Sequence, residues 1–96
     1  MKYTVYDLHQ CNRGEQIQVT LQGSAANVRL MDSSNYSNYK NGRRHNYYGG
    51  LAKRSPIVLT IPRSGHWYVT IDLDGLRGSV RSSIRKLPSP LPEYRE

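Results

Sequence analysis

The run from Gln16 to Gln22 alternates without a break. Ile17, Val19 and Leu21 point one way, and Gln16, Gln18, Thr20 and Gln22 point the other. Side chains change face at every residue of a strand, so this pattern predicts a strand buried on one side only. Shorter runs repeat the theme. Val28 and Leu30 flank Arg29; Ile57, Leu59 and Ile61 share a face; so do Trp67, Val69, Ile71 and Leu73, and then Val80 and Ile84. Tyr3, Val5 and Tyr6 sit in a β-rich opening segment. Asn12-Arg13-Gly14, Gly23-Ser24, Arg63-Ser64-Gly65 and Asp72-Leu73-Asp74-Gly75 separate these runs as turn signals. Pro62 ends its run or marks a sheet edge. Turns at this spacing, with no amphipathic helix of useful length, predict an all-β fold. The expected form is a small antiparallel β-sandwich or partly open barrel of about 6–8 strands.

The 96 residues suffice for one domain. Residues 1–88 are expected to form it, and residues 89–96 an extended tail, because LPSPLP (Leu87 to Pro92) is too proline-rich for strand or helix. Phenylalanine is absent, so eight tyrosines and one tryptophan supply the aromatic volume. A buried tyrosine hydroxyl needs a partner, which favours sheet rims and the undersides of loops over the centre of a core.

One stretch breaks the alternation. Asp32 to Gly50, DSSNYSNYKNGRRHNYYGG, forms a long connection holding four of the eight tyrosines. Such connections are usually functional or disordered, and an aromatic-rich one argues against disorder. Asn35, Asn38 and Asn41 recur every three residues, as do Tyr36 and Tyr39. That spacing predicts a tight 3₁₀-like turn with the asparagines on one side and the tyrosines on another. Ser33 or Ser34 is expected to cap it and Asn41-Gly42 to stop it. Arg43 to Tyr48 is then expected to run as a short strand into a flexible Gly49-Gly50.

Charge concentrates around the same stretch. The formal net charge is +7, and no Asp or Glu occurs from Ser33 through Ile71, where Lys40, Arg43, Arg44, Lys53, Arg54 and Arg63 all fall. A local positive field of this kind attracts anions, and arginine suits phosphate or carboxylate. The sequence therefore points to a non-enzymatic binding or sensing module for a polar or anionic ligand, nucleotide- or phosphosugar-like, or for a protein partner. Tyr36, Tyr39 and Tyr48 would stack on it, Asn35, Asn38 and Asn41 would hydrogen-bond, and Arg43, Arg44 and Arg54 would meet negative charge. The competing reading has Tyr36, Tyr39 and Tyr47 plugging the open end of the sandwich, with the asparagines satisfying loop backbone. Two further readings are a homo-oligomer built on the tyrosine surface or the tail, and nonspecific nucleic-acid binding through the basic surface. Neither RNP aromatics nor a KH loop accompanies that surface.

Cys11 is the single cysteine, which excludes an intramolecular disulfide. MKYTVYDLHQ contains no apolar run of signal-peptide or membrane-spanning length, so a cytoplasmic protein is expected. One thiol and the scattered His9, His45 and His66 match no zinc spacing, and no metal or cofactor is expected. Asp72 and Asp74 beside Gly75 read as turn chemistry. Neither a nucleophile elbow nor a glycine-rich phosphate loop is present, so no enzyme is expected.

The blocks NVRLMDSSNYSNYKNGRRHNYYGG (Asn27–Gly50) and RSPIVLTIPRSGHWYVTIDLDGLRG (Arg54–Gly78) carry a resemblance. The chain resembles, from Tyr3 to Pro88, the small bacterial proteins catalogued as domain of unknown function 1883. The resemblance implies a compact, mostly β domain with no established activity and no catalytic residues to carry over. Some relatives are joined to TIR domains, which would suit a recognition or sensing module. A chain of this length has no room for a TIR domain, so such a partnership would join separate proteins.

Overall fold

Residues 2–87 are described in a computed structural model. The expected tail over 89–96 lies outside them. Seven strands and one helix follow in the order β1 (Tyr3–Cys11), β2 (Gln16–Gly23), β3 (Ala26–Asp32), α1 (Ser33–Lys40), β4 (Tyr48–Ala52), β5 (Ile57–Thr60), β6 (Gly65–Asp72) and β7 (Val80–Leu87). They form a four-stranded sheet, β1-β6-β3-β4, and a three-stranded sheet, β5-β2-β7. Every pairing is antiparallel. The protein is an all-β sandwich.

The alternation read from the sequence places the core. Ile17 and Val19 of β2 meet Val28 and Leu30 of β3 and Trp67, Val69 and Ile71 of β6, and all seven are buried. Each such aliphatic side chain removed from water contributes about 1.5–3 kcal/mol. Ile61, just beyond β5, is also fully buried. In β1 the alternation is interrupted. The register with β6 shifts between Asp7 and His9, and His9 has φ 57. This bulge lets both Leu8 and Cys11 point into the core although they are an odd number of residues apart. Arg81 and Arg85 lie on the exposed side of β7.

The sequence gives no sign of a third layer. On the face of the large sheet turned away from the sandwich core, Met31, Thr70 and Asp72 are 1%, 0% and 3% exposed. The cover over this face includes α1, whose Tyr39 is itself buried. Tyr36 and Tyr39 therefore do not plug the end of the sandwich. They sit on the outside of the larger sheet, where Tyr36 stacks on Tyr68 and Tyr39 reaches Asp72.

The long connection is more ordered than expected. Its central turn is an α-helix, not a 3₁₀ turn, because the Asn41 N–H reaches back four residues to the Ser37 carbonyl. The cap is Asp32, whose Oδ1 accepts from the Asn35 N–H at 3.0 Å; neither Ser33 nor Ser34 fills that role. A carboxylate at this position also interacts favourably with the helix dipole. Asn41-Gly42 does end the helix, with Gly42 at φ 70. Residues 43–47 carry no regular structure, and the strand begins only at Tyr48.

Gly49 belongs to β4 and is not a flexible joint. Its φ is +102, and a Cβ there would lie 2.4 Å from the Val28 carbonyl oxygen. Gly49→Ala must both strain this backbone and push β4 away from β3. It is expected to lower stability by about 1–3 kcal/mol. Gly42→Ala meets no atom within 4 Å and should cost less. Denaturant midpoints of the two variants check the order.

Candidate functional site

Two polar clusters fix the connection to the sheet. In the first, Asp72 on β6 accepts four hydrogen bonds. Asn27 Nδ2 (2.8 Å) and the Asp74 N–H (3.0 Å) donate to Oδ1; Arg29 Nη1 (2.5 Å) and the Tyr39 hydroxyl (2.7 Å) donate to Oδ2. Burial alone would raise this carboxyl's pKa, but the four donors and the Arg29 charge outweigh it and hold the pKa below 3.8. Burial, together with the bond to Asp72, pushes the Tyr39 hydroxyl upward. The Arg29 guanidinium lies 5.8 Å from the Tyr39 ring centroid and 4.9 Å from that of Tyr47. A cation held between two aromatic faces gains from both. This cluster ties α1 and the segment after it to β3 and β6.

The second cluster sits at the start of α1. Asp32 caps the helix and also receives a hydrogen bond from Arg63 Nη2, and Asn35 Nδ2 donates to its Oδ1 at 2.9 Å. Burial raises the Asp32 pKa, the Asn35 backbone and side chain and Arg63 lower it more, and the net shift is downward from 3.8. Asn35 Oδ1 in turn accepts from the Asn46 N–H at 2.7 Å, which pulls the loop over the helix end. Beside these groups opens a cleft of about 390 Å³, lined among others by Asp32, Asn35, Tyr47, Tyr48, Arg63 and Trp67. Arg63 lies 5.0 Å from the Trp67 ring centroid and is 57% exposed. Tyr47 and Tyr48 are exposed. The cleft thus offers aromatic surface, a charged fork and amide groups to one small volume.

The residues singled out in the sequence are dispersed. Asn35 and Tyr48 line this cleft. Tyr39 and Arg43 line a smaller hollow of about 160 Å³ with Arg29 and Asp72. Arg54 borders a third, with Gly23 and Ser24. Tyr36 packs on Tyr68 with centroids 4.3 Å apart, and its hydroxyl lies 3.1 Å from that of Tyr3; this bond, and then burial, push its pKa up to about 12. Asn41 Nδ2 donates to the Ser37 carbonyl, Asn38 offers its backbone carbonyl to the Arg43 N–H, and Arg44 is exposed. Asp32, Arg63 and Trp67 also line the cleft, and nothing local in the sequence marks them as ligand groups. Asp32 and Arg63 are 31 residues apart, and only folding brings them together.

A third cluster lies on β1 and β6. Asp7 Oδ1 accepts from the His9 N–H at 2.8 Å, and His66 Nε2 lies 2.6 Å from the same oxygen. His9 Nδ1 is 3.6 Å from it. The expectation that the histidines are scattered fails for two of the three, because the Gln10↔His66 register sets His66 beside the bulge. The ligand atoms of Asp7, His9 and His66 lie within 4.8 Å of one another. Cys11 is apart from this chemistry: it is buried, its thiol faces the Leu8 and His9 carbonyls at 3.6 Å, and burial raises its pKa above 9.0.

Among the described residues, no helix is long and apolar enough to cross a membrane. No curated protein and no solved structure matches the chain. A family model does match it, over residues 1–90, and its description is "domain of unknown function (DUF1883)". That span takes in both sheets, α1 and all three clusters, and the chain belongs to the DUF1883 family.

Proposed function

We propose that this protein is a binding module, not an enzyme, and that it takes up a small polar or anionic ligand, nucleotide- or phosphosugar-like, in the cleft beside Asp32. The observation that carries this reading is the convergence of exposed Tyr47 and Tyr48 with the Arg63–Asp32 pair around about 390 Å³. That volume lies in the range of small-molecule sites. The tyrosine rings offer faces for a base or a sugar. Arg63 uses one nitrogen on Asp32, and a guanidinium has five N–H donors, so it keeps donors for a phosphate or hydroxyl. Exposed Arg43 and Arg44 lie in the same loop and add positive field. The buried thiol of Cys11, with its raised pKa, is poorly suited to act as a nucleophile.

A thermal-shift panel of nucleotides and sugar phosphates tests the proposal. A true ligand raises the melting temperature with concentration. Tyr48→Ala and Arg63→Ala should each weaken it by about tenfold or more, in line with roughly 1–3 kcal/mol for a stacked base. Arg54→Ala, at a separate hollow, should leave affinity unchanged. Hits that persist equally in the Tyr48 and Arg63 variants would remove the cleft from consideration.

A further inference from the structure

We propose that Asp7, His9 and His66 form a binding site for a divalent first-row transition ion of the zinc type. The donor set is two imidazole nitrogens and one carboxylate oxygen, and their ligand atoms lie within 4.8 Å of one another. Imidazole suits zinc, cobalt, nickel and copper, whereas magnesium and calcium prefer oxygen ligands throughout.

The spacing fits. Bonds of about 2.0–2.2 Å to a tetrahedral ion place neighbouring ligand atoms roughly 3.4 Å apart. His9 Nδ1 and Asp7 Oδ1 stand at 3.6 Å already. His66 Nε2 and Asp7 Oδ1 are hydrogen-bonded at 2.6 Å and need to part by about 0.8 Å to admit an ion between them. The Asp7 and His66 side chains are each 42% exposed and His9 is 80% exposed, so this movement disturbs no packed core.

Two local features prepare the site. The bulge in β1 aims His9 at its neighbours, and His9 is the one non-glycine residue with positive φ among the described residues. Bulges re-aim side chains in this way, and a β-strand without one would turn the rings differently. His66, for its part, is held by a stack. Its ring lies 4.8 Å from that of Tyr68 with planes 12° apart, and Tyr68 lies 4.3 Å from Tyr36 of α1. The stack restrains the plane of the imidazole. Three protein ligands leave a fourth position open to water or to a group from another molecule, the arrangement of an open metal site.

Calorimetric titration of the untagged full chain near neutral pH, with zinc and then cobalt, tests the proposal. One equivalent of zinc should bind at micromolar concentration, cobalt should give the absorption of a tetrahedral complex, and magnesium and calcium should not compete. His9→Asn keeps a residue that tolerates φ 57 and removes the imidazole. That variant and His66→Gln should each weaken zinc by more than about tenfold. Cys11→Ser should bind as the parent does. The site is refuted by lack of a one-equivalent complex, by affinity that survives both histidine variants, or by affinity lost only in the cysteine variant.

Discussion

Asp72→Ala is expected to lower stability by about 3–5 kcal/mol, the cost of leaving one member of a buried ion pair alone. Against the roughly 5–15 kcal/mol available to a domain, this is a large share, and the melting temperature should fall by more than about 10 °C. Asp72 is 3% exposed, and its carboxylate accepts four hydrogen bonds. Removing it strands the Arg29 guanidinium, whose side chain is only 17% exposed, and unties Tyr39 from β6. Tyr39→Phe, which deletes one donor and keeps three, should cost only about 1 kcal/mol. The pH dependence carries a second signature. With its folded pKa below 3.8, Asp72 adds stability that is fully present above the unfolded value and is lost as pH falls through the folded one. The gap between parent and Asp72→Ala should therefore narrow as pH drops below about 4. Asp32 has a lowered pKa for similar reasons and stays in both proteins, so the variant should retain some acid lability. Denaturant melts across pH measure this. A constant gap down to the acid limit would show that the Asp72 charge is not what holds α1.

Strand residues were legible in the sequence because their physics is local. Ile17, Val19, Val28, Leu30, Trp67, Val69 and Ile71 alternate with polar neighbours, and each is buried where the pattern places it. The third layer was not legible, because α1 has no apolar stripe to announce it. It seats on the sheet through Tyr36 and Tyr39, and its anchor is a hydroxyl on a carboxylate. The face it helps cover, Tyr68, Thr70 and Asp72 of β6, reads as the wet side of a half-buried strand. Asp72 also reads as a turn residue, and it does accept from the Asp74 N–H as a turn aspartate would. Its other three donors come from β3 and α1 and leave no local trace. The same limit applies to the cleft and to the Asp7–His9–His66 cluster. His66 and Asp7 are 59 residues apart, and only the β1–β6 register joins them. The bulge that completes the cluster is a backbone event at His9, a residue type with no special claim to it beyond tolerating positive φ.

Trp67→Ala should cost about 3–5 kcal/mol, the usual price of truncating a buried aromatic. Trp67 is 1% exposed, packs in the core cluster from β6, and donates its indole N–H to the Arg63 carbonyl at 2.9 Å. The same ring lines the cleft, with the Arg63 guanidinium 5.0 Å and the Tyr48 ring 6.1 Å from its centroid. Stability and the proposed binding are thus joined at one side chain, and Trp67→Phe separates them. Phenylalanine keeps most of the buried area and loses the donor, so the fold should lose much less than in the alanine variant. Arg63, however, loses both the hydrogen bond that fixes its backbone and part of the ring beneath its guanidinium. Ligand affinity in the phenylalanine variant should fall by about tenfold while the fold persists, as for a contact worth roughly 1–3 kcal/mol. Circular dichroism must follow unfolding, since Trp67 is the single tryptophan and its fluorescence leaves with it. A Trp67→Phe protein that melts nearly as the parent does and binds equally well would mean that the indole serves the core alone, and that Arg63 is positioned by Asp32 without it.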